Sequence, residues 1–206
     1  MTQTHEKVGF VGIGLMGHGM AKNIVEKGYP LSVVAHRKRA AVDDLVSRGA
    51  VEAASLEGLA RGCSVIFLCL TGSPEVAAAV AALKPGLAKG AVVVDCSTSD
   101  PTVSLRLAAE LAEIGVGFAD APLSRTPKDA WAVTLDCMVG PAPPVLHECR
   151  PFTNRRRPVD PIGGGVTADG APQGCASRHR CRTAIPVLRS PVARCWSGCQ
   201  VRGPKS

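Results

Sequence analysis

The run Val8-Gly9-Phe10-Val11-Gly12-Ile13-Gly14-Leu15-Met16-Gly17-His18-Gly19-Met20-Ala21-Lys22-Asn23 reads as a short buried strand, a glycine-rich turn and the opening of a helix. Gly12, Gly14 and Gly17 stand at the spacing G-x-G-x-x-G. Glycine has a physical use at each position. The first permits a tight turn out of the strand, the second lets backbone approach a pyrophosphate, and the third lets the helix sit close on the strand. A helix starting at Leu15 would aim its free N–H groups and its positive dipole end at that phosphate. The flanks agree with this reading. Met16, Met20 and Ile24 give the helix an apolar stripe, and a second apolar run follows at 31–35. Together they make one βαβ unit of about 30 residues. The alternative is a structural βα turn that holds no ligand.

The alternation continues downstream. Strands are predicted at 7–11, 31–35, 51, 64–70, 91–94 and 117–120, with helices at 15–27, 40–48, 56–60, 75–83 and 102–114. Residues 64–70 are continuously apolar, as a parallel strand buried on both faces must be. Pro74 suits the first turn of a helix. Gly28, Gly49 and Gly115 follow helices at the usual stop position. This order of elements predicts an α/β fold, a Rossmann-like doubly wound parallel sheet over residues 1–140. The polar loops 71–74 and 95–101 follow strands, and ligands of such sheets sit at the strands' carboxyl ends.

His36-Arg37-Lys38-Arg39 follows the second strand. In NAD-selective folds an acidic residue about 20 positions past the glycines binds the ribose 2′-hydroxyl. Position 37 is arginine, and no acid lies beside it. A guanidinium can grip a 2′-phosphate with two hydrogen bonds. NADP(H) is therefore expected over NAD(H), with Arg37 as the main contact. The alternative is a solvated basic helix start.

Charge divides the chain. Residues 1–140 carry 13 Lys/Arg and 14 Asp/Glu, while residues 141–206 carry 11 and 3. The second part also holds 10 of the 16 prolines and 5 of the 9 cysteines. It shows no sustained period of 3.6 or 2 and reads as an irregular or disordered tail. His147, Cys149, Cys175, His179, Cys181, Cys195 and Cys199 lack the paired short spacings of zinc sites, so no metal is expected. Its arginines imply nonspecific attraction to polyanions, and no specific nucleic-acid partner. No apolar run approaches the roughly 20 residues of a membrane span. Residues 1–7 have no apolar signal region, so the cytoplasm is the expected location. Cys63, Cys69, Cys96 and Cys137 read as small buried apolar residues in a reducing compartment.

Gly12-Ile-Gly-Leu-Met-Gly-His-Gly-Met-Ala-Lys-Asn23, Asp95-Cys-Ser-Thr98 and Asp120-Ala-Pro-Leu-Ser124 occur in this order. Together they resemble the β-hydroxyacid dehydrogenases, which include 3-hydroxyisobutyrate dehydrogenase, tartronate semialdehyde reductase and the 6-phosphogluconate dehydrogenases. The match in G-L-G-x-M-G-x-x-M-A-x-N is more specific than the glycines alone. The resemblance implies cofactor contacts from Gly12, Ile13, Gly14, Leu15, Met16 and Gly17. It implies that Leu70 and Thr71 line the cofactor's middle and that Thr98 lies by its nicotinamide. It implies that Ser124 binds a substrate carboxylate, helped by the backbone N–H groups of Arg125 and Thr126. Many relatives have Gly-Gly where this chain has Arg125-Thr126. Arg125 could pair a carboxylate or simply face water. The implied reaction is reversible hydride transfer between a small 3-hydroxy acid and its semialdehyde.

Three departures accompany the resemblance. Relatives carry a lysine about fifty residues past the serine as general acid/base, whereas no lysine lies between Lys128 and Lys205 here. No catalytic residue is therefore assigned. The all-helical second domain, which covers the substrate and forms the dimer surface in relatives, is not recognisable in 141–206. Val133 stands where many relatives keep glycine. An out-of-frame tail from about residue 141 explains the abrupt change of composition. The expectation is the cofactor domain of an oxidoreductase, truncated and without turnover. A non-catalytic NADP(H)-binding module is the alternative.

Overall fold

The computed structural model describes residues 6–36 and 39–137. Arg37 and the stretch from residue 141 lie outside the described residues, and so do the readings made on them.

β1 (Val8–Val11) is buried at all four positions, because it sits in the middle of a sheet covered on both faces. β2 (Leu31–Val33) and β4 (Val65–Leu68) flank it. β3 (Val51–Glu52), β5 (Val92–Asp95) and β6 (Gly117–Asp120) complete the order β3-β2-β1-β4-β5-β6. Every neighbour is parallel. The helices α1 (Leu15–Glu26), α2 (Ala40–Ser47), α3 (Leu56–Gly62), α4 (Ser73–Leu83) and α5 (Pro101–Ala112) alternate with the strands. This is the doubly wound Rossmann-like sheet expected from the sequence. The strand order reverses between β1 and β4, which opens a crevice at their carboxyl ends.

The two faces of the sheet build two cores. Val8, Phe10, Val65, Phe67 and Val94 point to the side of Met20, Ile24 and Leu45. Val11, Ile66, Leu68 and Val93 point to the side of Leu59, Val76, Leu107 and Leu111. Alternation along one strand fills both cores, which is why these strands read as unbroken apolar runs. Phe10 and Phe67 stack with ring centroids 6.0 Å apart.

Some strands are shorter than their apolar runs. β2 ends at Val33, which pairs with Phe10 on one side and Glu52 on the other. β4 stops at Leu68, opposite Val11, where the backbone of β1 turns away at Gly12. Helix boundaries fall within two residues of expectation for all of α1 to α5, with Asp100 capping α5 through Oδ1, 2.7 Å from the Thr102 nitrogen.

Residues 121–137 hold three short elements that the sequence pattern does not predict. β7 (Leu123–Ser124) pairs antiparallel with β8 (Asp136–Cys137), and α6 (Pro127–Trp131) lies between them. α6 packs against α1. A Cβ on Gly19 would lie 2.9 Å from the Ala130 carbonyl carbon and 2.9 Å from the Trp131 nitrogen, so only glycine allows this approach. Asn23 Nδ2 donates to the Ala130 carbonyl at 2.6 Å. The Trp131 ring meets His18 edge-on at 5.0 Å and Lys22 Nζ at 5.3 Å.

Candidate functional site

The loops after β1, β4, β5 and β6 gather at one edge of the sheet. Gly12 has φ +96°, and a Cβ there would lie 2.2 Å from the Cys69 carbonyl oxygen. A Cβ on Gly17 would lie 2.0 Å from the Gly12 carbonyl oxygen. Both positions therefore exclude any side chain. Gly14 is the opposite case: a Cβ there would meet nothing within 4 Å. The middle glycine faces open space while its two neighbours are wedged against backbone. α1 starts at this gap with no side-chain cap and no acidic residue in its first turn. Leu15 is 81% exposed beside it.

Two further loops are tied together. Cys96 N–H continues the ladder onto the Leu68 carbonyl at 2.8 Å. Leu70 N–H donates to Ser97 Oγ at 2.9 Å, and Asp100 N–H donates to Ser73 Oγ at 2.7 Å. Asp95 is fully buried. Its Oδ1 accepts from Ser97 N–H at 2.9 Å and its Oδ2 accepts from the Ser99 hydroxyl at 2.6 Å. Thr98 lies exposed between the two residues that Asp95 holds. Leu70 is half-buried and Thr71 exposed in the facing loop.

Two groups at this edge have shifted acidities. Burial, together with the Asp95 carboxylate, pushes Asp120 up to about 6. Burial, again with Asp95, pushes the Cys69 thiol up to about 11, partly offset by a hydrogen bond from Gly17 N–H. Cys63 and Cys96 are buried and Cys69 is half-buried. The Cys137 side chain lies outside the description.

Ser124 lies half-buried opposite Asp136 in the small antiparallel pair. Arg125 follows it exposed, with φ +82°. Thr126 N–H donates to Asp129 Oδ2 at 3.0 Å, and the Thr126 hydroxyl donates to the same oxygen at 2.6 Å. The Thr126 N–H assigned to a substrate carboxylate is thus already taken by the start of α6. Val133 has φ +58°. Arg125 and Val133 are the two non-glycine residues with positive φ among those described. Both stand where many members of the resembled family have glycine, and left-handed backbone is the physical reason glycine belongs there.

The sequence reading named Gly12, Gly14, Gly17, Leu70, Thr71 and Thr98, and the fold brings them to this one edge. It missed Asp95, Ser97 and Ser73 as the groups that tie the loops. A local signal existed for Asp95 alone, since an Asp two residues before a backbone N–H is a common local anchor. The Ser97 and Ser73 ties join loops far apart in the chain and leave no local trace in the sequence.

The model of the NAD-binding domain of 6-phosphogluconate dehydrogenase matches residues 7–155. The chain belongs to that family. The NAD-dependent L-serine dehydrogenase of Pseudomonas aeruginosa is 35% identical over 150 residues, which is 71% of this chain and 50% of that protein. The 2-hydroxy-3-oxopropionate reductase of Escherichia coli is 30% identical over 186 residues, 88% of this chain and 60% of that protein. That alignment continues past residue 140. The solved structure of Psf3 in complex with NADP+ and 2-OPP superposes with a TM-score of 0.65 at 33% identity, covering 70% of this chain and 52% of that one. The chain thus spans about half the length of the relatives it matches. No helix among the described residues is long and apolar enough to cross a membrane.

Proposed function

We propose that this chain is the NADP(H)-binding part of an oxidoreductase that acts on a small 3-hydroxy acid and its semialdehyde. The observation that carries the reading is the glycine turn. Gly12 and Gly17 are closed against backbone, Gly14 is open, and α1 begins there uncapped and free of acidic residues. A pyrophosphate suits such a place, because it supplies the negative charge and the hydrogen-bond acceptors that the helix end lacks. Gly12, Ile13, Gly14, Leu15, Met16 and Gly17 hold the phosphates in this reading. Leu70 and Thr71 flank the middle of the dinucleotide, Thr98 its nicotinamide, and Arg37 its 2′-phosphate.

The cofactor supplies the hydride acceptor and donor when bound. The chain's own task is orientation. Ser124 binds the substrate carboxylate through its hydroxyl, and Thr126 joins it only if Asp129 releases the Thr126 N–H. No group of this chain is proposed as the proton donor. We therefore propose cofactor binding without turnover for residues 1–206, in a cytoplasmic setting.

Titration of the purified chain with NADPH and NADH, read by cofactor fluorescence, tests the first part. Tighter binding of NADPH that is lost in Arg37→Ala is expected. A preference for NADH unchanged by Arg37→Ala overturns the cofactor assignment. NADPH oxidation with small semialdehydes tests the second part, and measurable turnover by the sequence-verified chain refutes it. For residues 141–206 we propose an out-of-frame origin. A fresh read of codons 130–150 in all three frames is expected to find a helix-rich continuation with a lysine in another frame. Finding none refutes it.

A further inference from the structure

Asp95, Ser97 and Ser73 form a linked set that the proposed function leaves without a task. Asp95 is completely buried at the end of β5, and Ser97 is 4% exposed. A carboxylate in such a place loses hydration, so its surroundings must satisfy its oxygens. Both oxygens are used on its own loop, one on Ser97 N–H and one on the Ser99 hydroxyl. That leaves Ser97 Oγ free to accept from Leu70 N–H in the neighbouring loop. Ser73 Oγ makes a second tie, to Asp100 N–H. The two ties bracket Thr98 on one loop and Thr71 on the other. Neither tie is a rung of the sheet ladder; the second joins the first residue of α4 to the N-cap of α5.

We propose that Ser97 and Ser73, with Asp95 orienting Ser97, are positioning residues that fix the span between loops 69–72 and 96–100, and so place Thr98 against the nicotinamide half of the dinucleotide. This rests on the proposed function. Without the ties the loops sample other spans, and the apparent affinity falls by the fraction of time spent in the binding-competent one. The penalty falls on ligands that reach between these loops. A ligand carrying only the adenosine half engages the glycine turn and the end of β2, and is spared.

The test compares NADPH with 2′,5′-ADP on the full chain by calorimetry, or NADH with ADP if the chain prefers NADH. Ser97→Ala is expected to weaken dinucleotide binding about five- to tenfold, which is the value of one hydrogen bond. The adenosine-half ligand should change less than twofold. Ser73→Ala, at a half-buried site tolerant of the loss, should show a smaller effect of the same selectivity, and Ser73→Thr, which keeps the hydroxyl, should restore wild-type affinity. Equal weakening of both ligands, or no weakening of either, overturns the positioning role alone. Failure of the wild-type chain to bind either ligand overturns the proposed function, and the positioning role with it.

Discussion

Replacing Asn23 by alanine tests the link between the glycine-turn helix and the candidate substrate loop. Asn23 is 6% exposed, and its Nδ2 donates to the Ala130 carbonyl at 2.6 Å. That carbonyl depends on this donor, because Thr134 N–H goes to the Asp129 carbonyl instead. The hydrogen bond itself is worth about 1 kcal/mol net. Leaving the carbonyl buried without a donor adds about 1–2 kcal/mol more. The expected loss is therefore about 2–3 kcal/mol, or a thermal midpoint lower by roughly 5–10 °C. Release of α6 from α1 is the one route by which the chain escapes part of this loss. Trp131 reports that route directly, since its ring sits 5.0 Å from His18 and 5.3 Å from Lys22 Nζ. Urea unfolding should be followed by circular dichroism and by Trp131 emission, in a Trp196→Phe background that leaves a single tryptophan at α6. Gly19→Ala crowds the same contact, so the double variant should lose less than the sum of the single losses. A stability within 0.5 kcal/mol of wild type, with unchanged Trp131 emission, refutes the idea that Asn23 holds α6.

Three further outcomes follow from single contacts. Gly17→Ala places a Cβ 2.0 Å from the Gly12 carbonyl oxygen, so titration with NADPH should show at least a hundredfold loss of affinity, on the scale of about 3 kcal/mol of displaced backbone. Ser104→Ala should raise stability by about 1 kcal/mol in urea unfolding, because the Ser104 hydroxyl is buried with no hydrogen-bond partner among the described residues. Asp120→Asn should change the pH profile of stability. The wild-type carboxyl titrates near 6 when folded and at an ordinary carboxylate pH when unfolded, so the folded state holds the proton longer and stability falls as pH rises through that window. The variant should lack this fall, matching wild type in acid and exceeding it at neutral pH in unfolding curves taken across the range.

What the sequence discloses depends on how many residues share a constraint. β1 and β4 are legible because every residue of each is pressed between two layers, and an apolar run is the unavoidable result; β5 follows them through Val92, Val93 and Val94. The glycine turn is legible because two of its three glycines are excluded from being anything else. α6, β7 and β8 have five, two and two residues, too few for any period to repeat. Their presence is recorded instead in other elements: in Gly19, which must be small, and in Asn23, which must carry a donor. Asp95 misleads for a related reason. A charged residue in a polar run reads as solvated loop, and only its fully buried position shows that it organises its own loop through Ser97 and Ser99.

Arg125 and Val133 bring these strands of reasoning together. Left-handed backbone costs a residue with a Cβ about 1–2 kcal/mol, and a β-branched residue such as valine more. The β7–α6–β8 segment bears that strain twice, at φ +82° and +58°. The segment holds its shape nonetheless, so other contacts must outweigh the strain, among them the Asn23–Ala130 hydrogen bond, the Thr126–Asp129 pair and the Thr134–Asp129 bond. The helix that presents the glycine turn is thus also the support for the loop that carries Ser124, and a change at Asn23 should be felt at both.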